Sequence, residues 1–247
     1  MPATLRAITW NVWFNHWHRE LRRQALWAEL GARRPAVVCL QELRPDDLAG
    51  PELRAWRDRG DWISDDRIDT YDVLILSRRA VHEFDRLALP SVMGRRLVIA
   101  RLAVDPPLTI ATVHLESTAA MTATRCRQLA AITAFLADEP EVLLMGDMNF
   151  PAGDTPEAAQ LAGFTDAWSL VHPDDPGFTV DSEVNEMRGA IKPGGKRARI
   201  DRVFHRGERW QIAAIERLGM TPCALDPPLP PVFISDHFGL QLDLVAR

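Results

Sequence analysis

Several apolar runs in this sequence are closed or interrupted by oxygen- and nitrogen-bearing side chains of a consistent kind. Asn11 closes the first run, and Gln41 and Glu42 close the second. His114, Glu116 and Ser117 close another. Asp147 and Asn149 follow Val142-Leu143-Leu144-Met145-Gly146. Asp201 lies inside Arg199-Ile200-Asp201-Arg202-Val203-Phe204, and Ser235, Asp236 and His237 precede the last run. Any one of these has a plain explanation, because Asn, Asp and Ser start turns and cap helices. Six together exceed turn chemistry, since ends of core strands converge on a rim where scaffolds place reactive groups.

The residue types fit one chemistry. A hard divalent cation such as Mg²⁺ prefers carboxylate and amide oxygens, and Glu42, Asn11 and Asp236 are of that type. His114 and His237 suit acid–base work or donation to a phosphoryl group whose charge grows in the transition state. Asp147 can align or deprotonate a water, with Asn149 holding it, and Asp201 can orient His237. Other catalytic signatures are missing. Gly194-Gly195-Lys196 lacks the context and following Ser/Thr of a nucleotide-binding loop, and no G-x-S-x-G elbow occurs.

The elements that must carry these groups are short. β-rich runs cover residues 7–12, 37–40, 72–76, 97–102, 108–114, 142–145 and 200–204. Residues 239–245 alternate, with Leu240, Leu242 and Leu244 on one face and Gln241 and Asp243 on the other. Helical spacing marks residues 19–34 (Leu21, Leu26, Leu30) and 122–137 (Leu129, Ile132, Leu136). Strands that follow one another without an intervening helix favour an α/β fold with mixed or largely antiparallel sheets. Residues 181–199 and 226–231 read as long Gly- and Pro-rich loops, a length usually tied to function. With no interior linker or repeat, residues 1–247 read as one domain.

A net charge of −5 excludes a wholly cationic nucleic-acid coat, though not a local basic patch. Cys39, Cys126 and Cys223 are odd in number and lack short pair spacing, so they read as structural thiols in a reducing compartment. Neither a leader-like N-terminus nor a membrane-length apolar run occurs, so a cytoplasmic location is expected.

Five segments, Thr9-Trp10-Asn11, Leu40-Gln41-Glu42, Gly146-Asp147-Met148-Asn149, Arg199-Ile200-Asp201-Arg202 and Ser235-Asp236-His237, together resemble the endonuclease/exonuclease/phosphatase superfamily, in family order and across the chain. The resemblance implies a deoxyribonuclease-like four-layer α-β-β-α sandwich of two mixed, largely antiparallel sheets. It also implies dependence on Mg²⁺, with Mn²⁺ as substitute. His114-Leu115-Glu116-Ser117-Thr118, Met93-Gly94-Arg95-Arg96-Leu97, Phe178-Thr179-Val180-Asp181 and Arg202-Val203-Phe204-His205-Arg206 are similar to the tyrosyl-DNA phosphodiesterase 2 branch, which releases tyrosine from DNA 5′ ends. That likeness implies that Glu42 holds the metal with Asn11. It implies that Asp147, Asn149, His114 and His237 act on the phosphate near Ser117, that Asp201 supports His237, and that Arg95 is a phosphate contact. The chain departs from the pattern at Trp13, where the family often has Asp, at Val180, where the branch has an aromatic, and at Pro151, where the branch has Arg.

Between Arg188 and Arg206 stand seven basic residues against one acid, Asp201. A solvated loop is the plain reading, and a polyanion track beside the site is the functional one. Trp13, Phe14 and Trp17 offer stacking faces for single-stranded DNA, or simply pack. The expectation is a Mg²⁺-dependent phosphodiesterase acting on DNA ends, 5′-tyrosyl adducts included. A small-molecule or lipid-headgroup phosphoesterase and a non-catalytic binding module are the alternatives.

Overall fold

The computed structural model describes residues 3–65, 67–192, 194–225 and 228–247. Pro193, Asp226 and Pro227, within the two expected loops, lie outside the described residues. Among the described residues, fourteen strands occur in chain order: β1 (Thr4–Asn11), β2 (Val37–Leu43), β3 (Trp62–Ile63), β4 (Asp72–Ser77), β5 (Val81–Ala88), β6 (Arg96–Leu102), β7 (Leu108–His114), β8 (Val142–Asp147), β9 (Thr165–Asp166), β10 (Val180–Asp181), β11 (Arg197–Ala198), β12 (Asp201–Arg206), β13 (Trp210–Leu218) and β14 (Gly239–Ala246). They form two six-stranded sheets, β13-β14-β1-β2-β4-β3 and β5-β6-β7-β8-β12-β9, plus a ribbon of β10 and β11. The helices are α1 (Arg19–Arg33), α2 (Pro45–Leu48), α3 (Pro51–Asp58), α4 (Thr122–Phe135), α5 (Pro156–Ala159), α6 (Ala167–Val171) and α7 (Glu186–Ile191).

Strand alternation builds the layers. Leu240, Leu242 and Leu244 of β14 meet Ile110, Leu143 and Met145 of the second sheet in the core between the sheets. Opposite-facing residues of the first sheet, such as Ile8, Val38 and Leu40, pack under Leu26 and Leu30 of α1 and Trp56 of α3. On the second sheet, Ala111, Val113 and Leu144 pack under Leu129 and Ile132 of α4. The result is the expected four-layer sandwich. Both sheets are mixed, because the crossovers through α1 and α4 make β1–β2 and β7–β8 parallel while the other pairings are antiparallel.

That topology positions the site. Parallel partners bring their carboxyl ends to one rim, opposing Asn11 to Gln41 and His114 to Asp147. Antiparallel β12 begins at that rim, with Asp201 opposite Asp147. Antiparallel β14 likewise brings Ser235, Asp236 and His237 to the end of β1. Gly146 makes the β7–β8 approach possible: its φ is +147°, and a Cβ there would lie 2.0 Å from the Val113 carbonyl oxygen.

Two expectations are corrected. Residues 181–199 do not form one long loop; they contain α7 and contribute both strands of the ribbon. Strands β5 and β13, with the two-residue β3 and β9, lie outside the runs expected from the sequence. β5 is an edge strand bearing exposed His82 and Glu83, and a bulge between Ile212 and Ala214 breaks the alternation of β13.

Candidate active site

At the end of β2, the pairing with β4 is irregular between Leu40 and Leu43, and Glu42 takes a left-handed φ of 65°. This break separates neighbouring roles. Gln41 is buried between the sheets on Thr9 and Thr112, while Glu42 turns to the rim. Glu42 Oε1 accepts from Asn11 Nδ2 at 3.1 Å and Oε2 from the Phe14 N–H at 3.1 Å. Asn11 Nδ2 also donates to Asp147 Oδ2 at 3.0 Å, and the Trp13 N–H donates to Asn11 Oδ1. Asn11 Nδ2 therefore links the two carboxylates as a donor.

Asp147 is the hub. Its Oδ1 accepts from the Asn149 N–H at 2.9 Å, its Oδ2 lies 3.4 Å from His114 Nε2, and His237 Nδ1 lies 4.0 Å away. Asn149 is itself held through Nδ2 to the Leu115 carbonyl at 3.0 Å. His237 Nδ1 donates to Asp201 Oδ2 at 2.8 Å, and Ser235 fixes the approach through Oγ to the Asn11 carbonyl at 2.6 Å. Arg95 lies against both nitrogens of His114, at 3.1 and 3.4 Å, and donates to Ser117 Oγ at 3.1 Å.

The two histidines are driven apart in charge. Burial, then the Arg95 guanidinium, hold His114 well below the ordinary imidazole value, so it is neutral. Burial also opposes charge on His237, but Asp201 and Asp236 overcome it and raise the group to about 10. Asp147 is pushed up to about 7, first by burial and then by Asp201. An acid, a neutral imidazole and a carboxylate near neutrality thus share one rim, the separation that acid–base sites use.

The donor set suits a hard cation. Glu42, Asp147, Asp201 and Asp236 crowd one end of the molecule, and among the described residues no lysine or arginine pairs with Glu42. Asp147, Asp201 and His237 also offer ligand atoms within 4.8 Å of one another. The 2.8 Å bond between Asp201 and His237 already uses one atom of each, so that trio reads more naturally as an acid–base assembly than as a ligand set.

Other sequence expectations meet a different arrangement. Asp236 Oδ2 pairs with Lys192 Nζ at 2.5 Å, and its Oδ1 lies 3.9 Å from His237 Nε2, so Asp236 belongs to the His237 side. The basic run is not a free polyanion track. Arg199 and Arg202 are buried on Asp166, Arg197 pairs with Asp181, and Arg206 donates to the carbonyls of Leu136 and Glu139. Lys192 and Lys196 remain exposed beside the site. Trp13 is 4% exposed under Arg22, which resolves it as packing, whereas Phe14 is 39% exposed. Phe14 meets Tyr71 at 4.9 Å between ring centroids, and Arg95 lies 5.2 Å from the Tyr71 ring. Tyr71 was missed; its one signal is that it is the only tyrosine in the chain.

A family model described as Endonuclease/Exonuclease/phosphatase family matches residues 8–237. The chain belongs to this family. Within it, the chain is similar to tyrosyl-DNA phosphodiesterase 2 of Danio rerio, 30% identical over 84% of this chain and 58% of that protein. The Mus musculus protein of that name is 25% identical over 98% of this chain and 66% of its own length. The chain therefore spans about three-fifths to two-thirds of these curated relatives. Among solved structures, D. rerio tyrosyl-DNA phosphodiesterase 2 complexed with single-strand DNA product superposes with a TM-score of 0.83 at 26% identity, covering 98% of this chain and 99% of that one. A family member from Beutenbergia cavernae, at 19% identity and TM-score 0.69 over 98% of this chain and 72% of that one, shares the fold. No described helix is long and apolar enough to cross a membrane.

Proposed function

We propose that this chain is a Mg²⁺-dependent phosphodiesterase that hydrolyses phosphate esters at DNA ends, 5′-tyrosyl adducts among them, with residues 1–247 acting as one unit. The observation that carries the reading is the Asp147 carboxylate, approached by Asn11, His114 and His237 from three other segments at 3.0, 3.4 and 4.0 Å. The names of the D. rerio and M. musculus relatives favour tyrosyl-DNA as substrate.

Glu42, with Asp147 and Asn11 adjoining, would hold the cation, which supplies Lewis acidity and charge neutralisation at a phosphoryl oxygen. Asp147 accepts the proton of the attacking water, its orientation fixed by the Asn149 N–H and Asn11 Nδ2. Cationic His237, steadied by Asp201, donates through Nε2 to a phosphoryl oxygen. Neutral His114, Arg95 and Ser117 line the remaining side. A phenolate leaves more readily than an alkoxide, because the tyrosine hydroxyl has a pKa of about 10.

A panel assay with Mg²⁺ and Mn²⁺ tests the reading, using 5′-tyrosyl single-stranded DNA, abasic duplex, plain duplex and inositol phosphates. The expected result is fastest release of tyrosine, abolished in Asp147→Asn. Faster turnover of inositol phosphates would replace the substrate class. No turnover with either metal would leave a binding module.

A further inference from the structure

Arg22, in the first turn of α1, is 2% exposed, yet no carboxylate pairs with it among the described residues. Its donors instead go to backbone carbonyls. Nε donates to Trp17 at 2.8 Å. Nη1 reaches Val12 at 3.2 Å and Ile234 at 3.4 Å, and Nη2 reaches Trp13 at 3.1 Å and Asn15 at 2.6 Å. The guanidinium also lies 4.6 Å from the Trp13 ring. One buried cation thus ties the loop after β1 to the segment that precedes Ser235-Asp236-His237.

Burying an unpaired charge is costly, and carbonyl dipoles in this number are what make it tolerable. The gathered loop has a shape the chain would not adopt unaided. Trp13 has a φ of 56°, which a bulky residue avoids. That shape aims two N–H groups: the Trp13 N–H at Asn11 Oδ1, 3.0 Å, and the Phe14 N–H at Glu42 Oε2, 3.1 Å. Those two contacts, with the bonds from Asn11 Nδ2 to Glu42 and Asp147, orient the Asn11 amide and the Glu42 carboxylate.

We propose that Arg22 is a positioning residue for the cation site: by gathering the carbonyls of residues 12–17 it holds the Phe14 N–H on Glu42 and so presets the carboxylate that takes the divalent ion. The inference rests on the proposed function only in placing the ion at Glu42. Lysine cannot replace Arg22, since an ammonium has three donors and no planar fork to span five carbonyls.

The test is Mn²⁺ titration calorimetry on wild type, Arg22→Lys and an amide-to-ester replacement at Phe14, with thermal melts in EDTA as the control for folding. The ester removes the Phe14 N–H while keeping its side chain and the left-handed backbone of Trp13, so the inference stays testable if Arg22→Lys does not fold. The expected result is a loss of about 10- to 100-fold in Mn²⁺ affinity in each folded variant, as for other residues that orient a metal ligand. The EDTA melt of the Phe14 ester should stay close to wild type. Such a loss supports the inference whether or not any DNA end is cleaved. Wild-type Mn²⁺ affinity in the Phe14 ester or in folded Arg22→Lys overturns it while leaving the proposed reaction intact. Wild type that binds no Mn²⁺ overturns both.

Discussion

Replacing Asp201 by asparagine isolates the charge that keeps His237 protonated. Three carboxylates face this imidazole: Asp201 at 2.8 Å, Asp236 at 3.9 Å and Asp147 at 4.0 Å. Burial works against the cation, and the carboxylates overcome it to give a value of about 10. At the Asp201 separation and an effective dielectric near 20, a unit-charge pair is worth about 6 kcal/mol, equal to about four pH units in the titration midpoint. An asparagine carbonyl can still accept from Nδ1, which returns part of that. The expected midpoint in Asp201→Asn is therefore about 7 or below. NMR titration of the His237 ring reads it directly. The stability profile should follow. Because the folded value exceeds the unfolded one, the stabilisation is complete below 6.5 and is lost as pH rises through about 10. Wild type should weaken across that window, and Asp201→Asn should show a flatter dependence. If His237 still titrates near 10 in the variant, the charge argument is refuted.

Three other outcomes are expected. Mn²⁺ affinity should strengthen as pH rises through about 7, because Asp147 must shed its proton beside the bound ion; a pH-independent dissociation constant in calorimetry from pH 5.5 to 8.5, roughly the window around that midpoint, would contradict this. Glu42→Gln should weaken Mn²⁺ binding about 100-fold or more in calorimetry and lower the EDTA melting temperature, because the new amide NH2 must face either Asn11 Nδ2 or the Phe14 N–H, both donors. Asp166→Asn should cost about 3–5 kcal/mol in urea unfolding, because it strands Arg199 and Arg202, both 5% exposed.

The sequence discloses the site better than its surroundings. Asn11, Glu42, His114 and Asp147 lie at the ends of largely apolar runs, and parallel pairing of β1 with β2 and of β7 with β8 sends such run ends to one rim. Tyr71 and Lys192 reach the rim from loops, and no linear pattern encodes the contact of either with Arg95 or Asp236. The basic run misleads for a related reason. Its charges are counted along the chain, while the acid that neutralises two of them, Asp166, lies more than thirty residues away at the end of edge strand β9. The ribbon and α7 are hidden in the same stretch by Gly189, Gly194 and Gly195, which punctuate it as a loop. The bulge-like break at Glu42 is equally silent in the sequence. It decides that Gln41 serves the core and Glu42 the rim.

The most direct test is anomalous diffraction from crystals soaked in Mn²⁺. The expected result is a peak at about 2.2 Å from a Glu42 carboxylate oxygen, with the Asp201–His237 bond intact. A peak bridging Asp201 and His237, with Glu42 uninvolved, would contradict the assignment of Glu42 to the metal and of Asp201 and His237 to the phosphoryl group.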